Sequence, residues 1–187
     1  TDDATVVNDF IYDHHESSGS AYIDFLPLLD GSGGASINGS YKLGFIDGDE
    51  TWSVDGSPYI MVGDVIVDQL ETITIEAGTE VMVDGNTSLT INGQLLVQGT
   101  EGNEVLFTSN QASPSAGDWQ GITLSSASSY QTCTLSYFRV EYATKGLYLN
   151  GNQAPYPAQI NNGTFYECSN SGIYVNNSSP SISNCSV

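Results

Sequence analysis

The tetrapeptides Gly121-Ile122-Thr123-Leu124, Gly146-Leu147-Tyr148-Leu149 and Gly172-Ile173-Tyr174-Val175 repeat one pattern at spacings of 25 and 26 residues. A second element recurs between them in step. Leu135-x4-Val140, Ile160-x4-Phe165 and Ile182-x4-Val187 lie 25 and then 22 residues apart. Upstream, Ile66 and Leu89 are separated by 23 residues, and Ile75 and Val97 by 22. Two independent elements with one shared period mark a solenoid, each period being one coil.

A period in the low twenties fits a leucine-rich repeat or a parallel β-helix. The L-x-x-L-x-L signature of the first, with its Asn or Cys ladder, is absent. The second needs short strands, and the chain supplies them. Val65-Ile66-Val67, Ile73-Thr74-Ile75, Val81-Met82-Val83, Leu89-Thr90-Ile91, Leu95-Leu96-Val97 and Val105-Leu106-Phe107 follow one another between Gly, Asn, Asp or Ser turns. Strand alternation then points Ile122, Leu124, Leu147, Leu149, Ile173 and Val175 inward as stacked apolar columns. Thr123, Tyr148 and Tyr174 face outward. The spacing predicts about six coils from Thr51 onward, a rod on the order of 29 Å long at about 4.8 Å per coil.

Three stretches are expected along the chain. Residues 1–30 carry the helix signal, with Val6, Val7, Phe10 and Ile11 at helical spacing after a capping Thr or Asp, followed by an apolar extended run. Residues 31–50 read as a Gly/Ser/Asp-rich connector, and residues 51–187 as the β-helix. The chain opens at Thr1 without an initiator Met, the start expected of a processed chain or a piece of something longer.

The 187 residues include 22 Asp plus Glu against 3 Lys plus Arg, a formal charge of −19. Three cations cannot make the positive footprint that nucleic acid demands, and anionic lipid would repel the chain. No apolar run approaches the 18 or so residues of a spanning helix, so membrane insertion is not expected. Cys133, Cys168 and Cys185 lack C-x-x-C spacing, which argues against a zinc site. Sequons at Asn38, Asn86, Asn162, Asn176, Asn177 and Asn184, together with the scarcity of Lys, point outside the cell or to its surface.

The segment Leu89 to Gly99, then Val105-Leu106-Phe107-Thr108-Ser109, then Gly117-Asp118-Trp119-Gln120-Gly121-Ile122, resembles secreted and surface-attached proteins with a right-handed parallel β-helix, the pectate-lyase-like superfamily. Ile73 to Val81 is similar to their early coils. The resemblance covers residues 51–187 and implies a right-handed single-stranded parallel β-helix, all-β apart from the helix-containing segment before it. The helix and the run Tyr22 to Leu29 resemble the closing segment of such domains, which implies that residues 1–30 end a preceding β-helix or form a cap.

Polyuronide lyases and hydrolases on this fold need a calcium-binding Asp cluster with a basic residue, or several Asp on one face, because charge builds on an anionic substrate in the transition state. The cations here are Lys42, Arg139 and Lys145. Arg139 is expected outward beside Glu141, as a surface ion pair. His14 and His15 are adjacent and face different ways, so neither one metal nor a Ser-His-Asp set is expected of them. Glu141 and Glu167 sit at neighbouring phases, the nearest approach to a glycosidase pair. Asp47, Asp49, Glu50 and Asp84 surround Gly turns that could take calcium; no other cofactor is implied. Tyr148 and Tyr174 could stand against sugar rings, or simply pair across strands. The expected role is a non-catalytic structural or adhesive module whose partners are other copies or neighbouring β-helix domains, end to end. The alternative is a polysaccharide-active enzyme or glycan-binding module.

Overall fold

The computed structural model describes residues 40–46, 48–125, 131–151 and 155–187. The expected helix of residues 1–30 lies outside them, as do Asn38 and Asp47.

Fourteen strands run in chain order: β1 (Ser40–Ile46), β2 (Glu50–Trp52), β3 (Tyr59–Val67), β4 (Thr72–Glu76), β5 (Glu80–Val83), β6 (Ser88–Ile91), β7 (Gln94–Gln98), β8 (Val105–Ser109), β9 (Gly121–Leu124), β10 (Thr134–Glu141), β11 (Lys145–Asn150), β12 (Gln159–Tyr166), β13 (Ser171–Asn176) and β14 (Ser181–Ser183). Every pairing between them is parallel, and each strand pairs with the strand one coil away rather than with its chain neighbour. That is the topology of a parallel β-helix of about five turns, wound right-handed as parallel crossovers are.

The pairings resolve into three faces. The first stacks β2, β4, β7, the first halves of β10 and β12, and β14. The second stacks the first halves of β1 and β3, then β5, β8 and the second halves of β10 and β12. The third stacks the second halves of β1 and β3, then β6, β9, β11 and β13.

Alternation holds rung after rung. β4 and β7 bury Ile73, Ile75, Leu95 and Val97 while Thr72, Thr74, Gln94 and Leu96 remain partly exposed. The columns are in register: Ile122 pairs with Leu147 and Leu147 with Ile173, and Leu124 pairs with Leu149 and Leu149 with Val175. Four of these six side chains are fully buried, but Ile173 is half-buried and Val175 is 45% exposed. The cause is position: among the described residues no strand pairs with the outer edge of β13. On the second face the large Phe138 fills the space above Gly163, where a Cβ would come within 2.5 Å of the ring. Phe138 and Phe165 then meet edge to face at 5.7 Å.

Corners have two designs. Between the first and second faces, β10 and β12 run straight through, each turning on one left-handed residue, Tyr137 (φ 48°) and Asn162 (φ 52°). Asn184 (φ 52°) turns the same way one coil on. β1 and β3 likewise run on from the second face to the third; the remaining corners are loops, and the third coil carries extra residues between β8 and β9 and between β9 and β10. The step from Leu96 to Thr134 on the first face is therefore 38 residues (134 minus 96).

That long coil explains why five turns stand where six were expected from an even period. A second difference concerns residues 31–50, read as a connector. Residues 40–46 are instead the strand β1, paired with β3. Gly44 and the surrounding Gly and Ser hid the short Tyr41-Lys42-Leu43 run from a propensity reading.

Candidate functional site

Outward positions also form columns, and on the third face one column runs Phe45, Ile66, Thr90, Thr123, Tyr148, Tyr174. The last two rings are 5.4 Å apart and inclined at 67°. Lys145, at the start of β11, places its ammonium 4.5 Å from the Tyr148 ring centre and 4.6 Å from that of Tyr174. The two tyrosines read from the sequence are thus brought together, with a cation lodged against both. A polar row flanks them, in which Asn176 Nδ2 donates to Asn150 Oδ1 at 3.0 Å and Ser125 Oγ donates to Asn92 Oδ1 at 2.8 Å.

The second face carries the other cluster. Arg139 Nε lies 2.5 Å from Glu141 Oε1 as an ion pair, and the guanidinium sits 5.2 Å from the Tyr166 ring centre. Thr108 Oγ1 donates to Glu141 Oε2 at 3.0 Å. Tyr166 donates to Glu167, and this bond with the carboxylate's charge pushes the phenol above its ordinary pKa. At the first coils, Lys42 pairs with Glu50 and lies over the stacked rings of Trp52 and Tyr59. All three cations of the sequence therefore rest on aromatic rings, two of them also on a carboxylate.

Of the carboxylates expected at calcium turns, the three among the described residues are each tied to a neighbour. Asp49 Oδ1 accepts the Thr72 N–H at 2.8 Å, Glu50 holds Lys42, and Asp84 Oδ1 accepts Asn110 Nδ2 at 3.0 Å. Among the described residues no group of three or more His, Cys, Asp or Glu could hold a metal ion. Asp118 organises the long β8–β9 loop, accepting from Ser109 Oγ at 2.7 Å and from Ser115 N–H and Oγ at 3.0 Å each. Partial burial raises its pKa, but these hydrogen bonds outweigh that and hold the carboxyl below its ordinary value. Trp119 is fully buried, and its indole N–H donates to the Glu141 carbonyl at 2.8 Å.

No disulfide joins Cys133, Cys168 and Cys185 among the described residues. Of the sequon asparagines, Asn86, Asn176, Asn177 and Asn184 are exposed, whereas Asn162 is half-buried at its corner. The sequence did not reveal Lys145 as the shared neighbour of the tyrosines, nor the Asp118 clasp. Both depend on which corner a coil turns, and residue spacing alone does not encode it.

Stacked parallel coils around one apolar interior define a β-helix protein. Within it, residues 44–136, just under half of the chain, match the family described as pectate-lyase like beta helix domain. No curated protein and no solved structure matches the chain.

Proposed function

We propose that the chain is a non-catalytic structural or adhesive β-helix module of an extracellular or cell-surface protein, joined end to end to other β-helix units. The engagement of Lys42, Arg139 and Lys145 carries this reading. β-Elimination or hydrolysis of an acidic glycan requires a cation facing the substrate, and here each cation lies against rings or carboxylates of the fold itself. A surface at −19 also repels polyanions.

End-to-end contact draws support from the last described coil. Tyr174, Val175 and Ile182 are each 43–45% exposed there, beside strand edges that can pair with another coil. Light scattering of the chain and of Ile182→Asp tests the contact, the substitution being expected to lower the assembled mass. A screen for reducing sugars and unsaturated uronides across a broad glycan panel tests the absence of catalysis; turnover of any glycan overturns the reading.

A second reading, glycan binding without turnover, is favoured by the 43% exposure of Tyr174 next to Tyr148. It requires binding that Tyr174→Ala abolishes.

A further inference from the structure

The acidic side chains are unevenly distributed over the three faces. The second face exposes Glu80, Arg139 and Glu141 along its strands, and the third is edged by Asp64 and Lys145. On the first face the outward carboxylates of the strands are confined to its opening rungs, at Asp49 and Glu76, and exposed Glu101 and Glu104 follow in the corner turn beyond Gln98. From β7 onward its outward rows are uncharged. One runs Gln98, Ser136, Asn161 and the other Leu96, Thr134, Gln159, in register on three successive strands.

We propose that this uncharged stretch of the first face is a side-by-side docking surface for a second copy of the chain. Two bodies at −19 repel wherever carboxylates face each other, so close lateral approach is cheapest where they are missing. Gln, Asn, Ser and Thr each carry both donor and acceptor atoms. A face built of them is self-complementary in a twofold contact, in which one patch meets itself. Both copies repeat at the same coil spacing, so hydrogen bonds made at one rung can recur at the next. The rows offer no aromatic side chain for a sugar ring and no charge for a polyelectrolyte.

The contact is weak. Three rungs by about four residues give roughly 400 Å² over both partners, well below the ~1,000 Å² of a stable specific interface. Association is therefore expected to depend on concentration, and to strengthen with salt as the Debye length falls to about 3 Å near 1 M.

Sedimentation velocity across protein and salt concentration tests this on four chains: native, Ser136→Glu, Gln98→Glu and, as an equal charge on the third face, Thr123→Glu. The first-face variants are expected to lower the association constant at least tenfold at high salt, and Thr123→Glu to leave it within about twofold, with circular dichroism confirming that each remains folded. End-to-end contact is distinguished because it responds to Ile182→Asp instead. A native chain that stays monomeric at every salt overturns the proposal, as does an equal effect of Ser136→Glu and Thr123→Glu. Monomeric protein that pellets with an insoluble neutral polysaccharide overturns it in favour of a glycan on the same face.

Discussion

Replacing Leu147 by Ala asks directly whether coils lie one upon another. Leu147 is fully buried, with Ile122 below it and Ile173 above, each one hydrogen-bonded rung away. Loss of a buried Leu side chain costs about 2–5 kcal/mol, the larger values where surroundings cannot collapse. Here the backbone ladder fixes the rung spacing, so the expected cost is about 3–5 kcal/mol. For a chain of this size 3 kcal/mol corresponds to about 6–12 °C in Tm. Val175 occupies the same face one coil on, but at 45% exposure its truncation to Ala is expected to cost only about 1 kcal/mol. Urea denaturation followed by circular dichroism measures both. A double-mutant cycle sharpens the test: Leu147→Ala with Ile122→Ala should couple by about 0.5–3 kcal/mol, whereas Leu147→Ala with the distant Ile73→Ala should be additive within about 0.5 kcal/mol. Equal costs at Leu147 and Val175, or equal coupling to Ile122 and Ile73, would refute the stacking.

Three further outcomes follow from particular side chains. Tyr137 holds φ 48° where the next coils place Asn162 and Asn184; because Asn adopts this conformation more readily, Tyr137→Asn should gain about 0.5–1 kcal/mol, and a lower Tm would contradict it. Asp118 has a depressed pKa, so the stability it lends the β8–β9 loop is fully present above the ordinary Asp value and is lost as pH falls through the folded one. Proteolysis within residues 111–116 should accordingly be faster in Asp118→Ala at neutral pH, but accelerate in the native chain only in acid. Burial pushes the Cys168 thiol above its ordinary range despite hydrogen bonds from the backbone at Ala143 and Gly146. Alkylation of Cys168, followed by mass spectrometry, should therefore be slow at neutral pH and accelerate only in alkaline solution.

The coil was legible because its interior is repetitive. Gly121 to Leu124, Gly146 to Leu149 and Gly172 to Val175 occupy equivalent rungs, and the backbone pairs them with the offsets their spacing gives. The one-residue corner was not read, although Leu135-x4-Val140 and Ile160-x4-Phe165 contain the extra residue that turns at Tyr137 and Asn162. Loop corners were not legible either. An insertion there costs only a few tenths of a kcal/mol in closure entropy, so residues 110–120 could lengthen one coil without disturbing the apolar columns. The Lys145–Tyr148–Tyr174 contact escaped for a similar reason, as Lys145 opens β11 directly after the corner that turns at Tyr142 (φ 59°).

The two corner designs give this scaffold the properties of a measuring stick. Whatever is carried on a loop corner, however long, is lodged at a height fixed by its coil, in increments of about 4.8 Å. A peptide grafted between Gln111 and Ala116 would thus emerge at the level of β8 and β9, and lengthening the graft would change how far it reaches sideways without moving its mark along the axis.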